Sequence, residues 1–153
     1  AMGEWLFGCD LCQTACPFDH GQPATVEPDF ALGPAVGGLS LTELLELDEE
    51  AFRARFRRTP LWRPRREGLL RNALIVVAKG GHRECLPAAH RLLRDASPVV
   101  REAASGCVVQ MGDIEALDDL RRADRREREA WVREALAADI LHLEDDLVSR
   151  CQA

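Results

Sequence analysis

Gly80 and Gly112 stand 32 residues apart, and each ends a long run of apolar residues spaced for one face of a helix. The first run carries Leu69, Leu70, Ala73, Leu74 and Val77; the second carries Ala103, Ala104, Cys107, Val108 and Met111. Each glycine is followed by a shorter amphipathic stretch, with Leu86, Ala89, Leu92 and Leu93 after the first and Leu117 and Leu120 after the second. One such helix pair cannot bury its apolar face alone, so a period of about 30 residues predicts stacked pairs, an α-solenoid. No strand pattern competes, because the densest apolar run, Ala73 to Ala78, lies inside a helix-length segment. The residue supply agrees: 46% of the chain is apolar but only 5% is aromatic, with no tyrosine, a bias toward helices over sheets.

Local signals set the helix boundaries. Ser40-Leu41-Thr42-Glu43 has capping-box spacing, so a helix starts there. Asp48 is placed to cap a short helix to about Phe56, with Ala51, Phe52 and Phe56 on one face. Pro64 suits the first turn of the helix that stops at Gly80-Gly81, and Ser97-Pro98 opens the next. Asp113 is positioned to cap another, and a last helix carries Trp131, Ala135, Leu136 and Leu143, with Trp131 expected as a core anchor. The stretch Asp95 to Ala104, DASPVVREAA, resembles the inter-helix turn and second-helix start of HEAT-like repeats. About two such repeats plus flanking helices are expected, with Gly106 a local departure.

Before Ser40 the character differs. Gly3 to Gly38 has little periodicity, is rich in glycine and proline, and holds Cys9, Cys12, Cys16 and His20. Two units are therefore expected: 1–38, a loop-rich segment organised by something other than an apolar core, and 39–153, the helical domain. The cysteines read Cys9-x2-Cys12-x3-Cys16-Pro17, which keeps the C-x3-C-P ending of the bacterial ferredoxin run. Thiolates are soft donors that match iron, and a tight loop can aim amides at the sulfurs. A cubane needs four ligands and the run offers three. Two other readings stay open: a structural Cys3His zinc site from Cys9, Cys12, Cys16 and His20, or unligated thiols. Cys85 and Cys107 read as small core residues.

Net charge is −6, yet between Arg53 and Arg71 eight arginines (53, 55, 57, 58, 63, 65, 66, 71) face one acid, Glu67. Such a block is either a footprint for a polyanion or a solvated face paired with Glu46, Asp48, Glu49 and Glu50. No run of about 18 apolar residues is present to span a membrane, and the first residues lack a signal-peptide pattern. The expectation is a cytoplasmic monomer with reduced thiols and no membrane partner.

At GEWLFGCDLCQTACPF, followed by LLELDEEAFRARFRRTPLWRPRREGLLRNA, the chain resembles the C-terminal part of epoxyqueuosine reductase, which performs the last step of queuosine synthesis on tRNA. The resemblance runs from Gly3 to about Arg101. It implies an all-α fold of HEAT-like helical repeats preceded by a loop-rich, partial 4Fe-4S ferredoxin-type segment. Cys9 and Cys12 would be ligands of one cluster and Cys16 the ligand that crosses to another. Two 4Fe-4S clusters would thus be shared with cysteines upstream of Ala1, and the cobalamin and catalytic part would also lie upstream. No residue of this chain is then catalytic. The family usually has tryptophan and asparagine where this chain has Phe18-Asp19, and Trp62 and Pro64 depart within the basic stretch. With a tRNA-modifying relative in view, Arg53, Arg57, Arg58, Arg63, Arg65, Arg66 and Arg71 are expected to contact the tRNA backbone. The rival reading is an all-α interaction scaffold with the zinc site or unligated cysteines.

Overall fold

A computed structural model describes residues 5–18, 21, 23, 26–27 and 38–151. Among them are eight α-helices and no strand: α1 Leu11–Thr14, α2 Leu41–Leu45, α3 Glu49–Phe56, α4 Arg65–Gly80, α5 Leu86–Leu92, α6 Pro98–Gln110, α7 Leu117–Arg126 and α8 Ala130–Cys151. Short 3₁₀ turns, Pro60–Trp62, Arg83–Cys85 and Ile114–Ala116, lead into α4, α5 and α7. The all-helical expectation holds.

The capping box at Ser40 is complete: the Glu43 amide donates to the Ser40 hydroxyl at 3.2 Å, and the Ser40 amide donates to the Glu43 carboxylate at 2.8 Å. Asp48 accepts from the Ala51 amide at 2.7 Å and starts α3. Gly81 ends α4 with a φ of 67°, a left-handed conformation that costs glycine little and other residues about 1–2 kcal/mol. Gly112 does the same after α6, with φ 62°. Two caps differ from expectation. The Ser97 hydroxyl donates to Glu67 at 2.9 Å instead of capping α6, and Asp113 turns its carboxylate to His90 instead of capping the next helix.

The long helices α4, α6 and α8 pack in series, with α2, α5 and α7 against them. Leu69, Leu70, Leu74 and Val77 of α4 join Val100, Ala104 and Val108 of α6 and Val132, Leu136 and Leu143 of α8 in one apolar core. Each of the larger aliphatic side chains contributes about 1.5–3 kcal/mol through burial. Trp131 is not among them and is 47% exposed. On α8 the line of Val132, Leu136 and Leu143 faces the core, and Trp131 sits one residue, about 100°, off that line. Gly106 lies on the outer side of α6, where an added Cβ would meet nothing within 4 Å.

Cross-helix polar links repeat along one edge. Arg66, in the first turn of α4, donates to the Leu47 carbonyl at 2.7 Å and grips Asp95, before α6, with both terminal nitrogens at 3.1 and 2.6 Å. Arg101, in the first turn of α6, grips Glu127, before α8, with two bonds of 2.7 Å, and also donates to the Asp95 carbonyl at 2.9 Å. The same device thus joins each long helix to the loop entering the next. The α6–α8 contact adds a hydrogen bond from the buried Ser105 hydroxyl to Asp139.

Candidate nucleic-acid interface and cysteine segment

The arginine block is spread over α3, the turn Pro60–Trp62 and the start of α4. Leu61 packs against the core, which fixes the turn. Trp62 stacks on Phe52, with ring centroids 5.6 Å apart and planes 14° apart. Arg65 then takes a φ of 58°, a left-handed conformation uncommon outside glycine. The result is a groove of about 690 Å³ bordered by Arg53, Arg63, Arg65 and Trp62, with Glu49 and Glu67 on its walls.

The sequence grouped eight arginines; the fold separates them. Arg53 is held by Glu49 at 2.9 Å within α3. The Arg55 guanidinium lies 6.0 Å from the Phe56 ring centroid. Arg57, Arg58, Arg63 and Arg65 are exposed, and none of the four makes an ion pair among the described residues. Arg66 also borders the groove, but its guanidinium is committed to Asp95 and Leu47, and its side chain is 16% exposed. Arg71 belongs elsewhere: it bonds the Asn72 side-chain oxygen at 3.0 Å and borders a separate groove between α4 and α6. Of the carboxylates weighed as partners for the block, Glu49 binds Arg53, Glu46 binds Arg91 at 2.8 Å, and Asp48 caps α3.

Among the described residues the cysteine segment meets the helices at Leu6, whose side chain packs against the core and whose carbonyl accepts from the Asn72 side-chain amide at 3.0 Å. Asp10, at φ 44°, precedes the single turn α1, which places Cys9 before it, Cys12 within it and Cys16 after it. Cys9 and Cys12 are exposed and Cys16 is half-buried; none is in a disulfide. Among the described residues no three ligating side chains come together to hold a metal. His20 lies outside the described residues, as do most of the residues between Phe18 and Gly38. Cys85 and Cys107 are buried, as their spacing suggested, and burial pushes the Cys107 thiol up to about 12.

Two ionic centres carry no local signal in the sequence. Glu127 is buried, with a 2% exposed side chain; the Arg101 hydrogen bonds hold its carboxyl down at about 2, against burial, with help from the Arg128 and Glu129 amides. His90 lies between two carboxylates, Nε2 at 2.7 Å from Asp113 and Nδ1 at 2.8 Å from Asp119. Burial works against its charge, but the two hydrogen bonds outweigh it and raise His90 above the ordinary histidine value. Both nitrogens can donate only in the imidazolium form, which suits this geometry. His90 and its partners lie 23 and 29 residues apart, so no spacing rule marks them.

A family model for HEAT repeats matches residues 65–140. The epoxyqueuosine reductase of Bacillus subtilis (strain 168) is 28% identical over 84% of this chain and 33% of its own length. That of Xanthomonas campestris pv. campestris is 32% identical over 72% of this chain and 32% of its own. A crystal structure of epoxyqueuosine reductase with an epoxyqueuosine-modified tRNA-Tyr stem loop superposes with a TM-score of 0.81 at 27% identity, covering 91% of this chain and 37% of that one. The chain thus spans about a third of the length of these reductases.

Proposed function

We propose that this chain, similar over most of its length to about a third of the epoxyqueuosine reductases, is a C-terminal part of such an enzyme and serves it in two ways, as a docking surface for tRNA and as a donor of cysteine ligands to iron–sulfur clusters. The reaction served is the reduction of epoxyqueuosine to queuosine in tRNA. Its cobalamin and its catalytic groups belong to a part of the enzyme beyond these residues, so the chain alone is not a competent reductase.

The observation that carries the docking role is the arginine-bordered groove, on a fold whose relative has been crystallised with a tRNA stem loop. Arg63 and Arg65 border the groove, and Arg57 and Arg58 follow α3 outside its lining; all four are exposed and make no ion pair among the described residues, so their forks are open to backbone phosphates. Arg53 joins them once Glu49 is displaced. Arg66 stiffens the groove from below, and Arg71 would meet RNA only on the α4–α6 side. The test is stem-loop binding by the full chain across a salt series. Replacing Arg57, Arg58 and Arg63 by glutamate should weaken binding and lower the slope of log K against log salt by about two to three. Unchanged affinity and slope would end the docking role.

Residues 1–38 form the iron–sulfur portion in this reading, and 39–153 the helical portion. The donor set fits: three thiols outside any disulfide, two of them exposed, in a C-x2-C-x3-C-P run. Cys9 and Cys12 would serve one 4Fe-4S cluster and Cys16 a second, with the remaining ligands supplied by the rest of the enzyme. Such clusters carry electrons one at a time. Anaerobic reconstitution with iron and sulfide, followed by metal analysis, tests the segment; zinc in place of iron, bound with loss of the free thiols, would favour a structural site instead.

A further inference from the structure

Trp62 presents one ring face to the core and the other side to solvent. Phe52, beneath it, is 2% exposed and is itself braced by Phe56, whose ring lies 5.4 Å away at 51°. Trp62 nevertheless stays 40% exposed, and it borders the same groove as Arg63 and Arg65. An indole clamped in this way loses little rotamer freedom when a ligand covers it.

We propose that Trp62 is a stacking platform for an unpaired nucleobase of RNA, with Arg63 and Arg65 taking the adjoining phosphates. The inference rests on the docking role above and adds which part of the RNA enters the groove. A base has a π-face whatever its identity, and it can offer that face only when it is unstacked from its neighbours. A continuous duplex offers the groove its backbone and base edges instead. Glu49 and Glu67 repel phosphate from the walls beside them, which leaves the Trp62 side as the place for the uncharged base. Glu49 also occupies Arg53 at 2.9 Å and Asp95 occupies Arg66, so among the arginines that border the groove the two left open to phosphate are Arg63 and Arg65.

The experiment uses the full chain and two probes: a hairpin RNA with an unpaired loop, and a blunt duplex of the same stem. In a Trp5→Phe, Trp131→Phe background, Trp62 is the only tryptophan, and hairpin binding should quench its fluorescence more strongly than duplex binding. With the other tryptophans restored, Trp62→Leu should weaken hairpin binding by about 5- to 100-fold while duplex affinity changes by no more than about twofold, and Trp62→Phe should keep most of the hairpin affinity. Circular dichroism establishes that the variants are folded, and the phenylalanine variant, which keeps an aromatic face on Phe52, serves if the leucine variant is not. If quenching is absent and both variants bind the hairpin like the parent, while glutamates at Arg57, Arg58 and Arg63 still weaken binding, stacking is overturned and docking stands. If neither set of changes alters hairpin binding, both are overturned.

Discussion

Arg66 and Arg57 come from one basic run and have opposite lives. Arg66 satisfies a backbone carbonyl and a carboxylate between helices, whereas Arg57 ends α3 in solvent. Arg66→Ala should therefore cost about 3–5 kcal/mol in denaturant unfolding, because it leaves Asp95 7% exposed without its cation. Arg57→Ala should change stability by about 0.5 kcal/mol or less. Glu127 and His90 give opposite pH signatures. The Glu127 carboxyl is depressed to about 2 from 4.5, so its contribution is full above about 4.5 and is lost as pH falls through about 2, on the order of 3 kcal/mol in all. The urea midpoint should drop along that range, and Glu127→Gln should flatten the drop. His90 is raised, so its contribution is full below about 6.5 and is lost as pH climbs through its folded value. Asp113, Asp119, Arg94 and Arg122 face this centre. His90→Gln should remove the alkaline decline of the thermal midpoint. The thiols divide as well: alkylation near pH 8 should label Cys9 and Cys12 and spare Cys85 and Cys107 until the chain unfolds.

At the scale of the element, helix ends are specified more locally than helix faces. The capping box of α2 is made within four residues, and Ser40→Ala should cost about 1 kcal/mol by urea unfolding, against a few tenths for Ser40→Gly. Asp48 and Gly81 are equally local. Ser97 and Asp113 have the right type and position for caps, yet their side chains go to Glu67 and His90, 30 and 23 residues away in the chain. A nearby helix offered a partner as good as the orphan amide, and a cap of this kind cannot be assigned from spacing. Trp131 teaches the same about faces. In α8 apolar residues occupy several sides, and contact with α6 and α7 selects Val132, Leu136 and Leu143 as the buried line.

Across the whole molecule, α4, α6 and α8 share one core, and the Arg66–Asp95 and Arg101–Glu127 links tie the layers along one edge. Stability in such a stack resides mainly between neighbouring layers. Removing 113–153 would uncover the side of α6 that α8 covers, including the buried Ser105, and leave Arg101 without Glu127. That truncated chain should lose cooperative thermal unfolding and self-associate, measurable by calorimetry and light scattering. The same stacking holds the proposed RNA groove in shape, since its floor is Phe52 and its far wall is the Ala96–Ser97 turn.

The sequence by itself determined the helices and their stacking. The 32-residue spacing of Gly80 and Gly112, the apolar lines before them and the Ser40 box all act over one or two turns or recur at a fixed period. It also marked the ferredoxin-like cysteine run and the arginine block, because residue type and spacing are visible in a linear chain. Tertiary structure alone decided which arginines are spent and which are open, because Asp95, Leu47 and Glu49 compete for them at distances that sequence does not contain. It likewise gave Trp62 its place on Phe52, ten residues earlier, by folding a 3₁₀ turn back over α3. A side chain's chemistry is carried by the chain, but its availability depends on which neighbours reach it first.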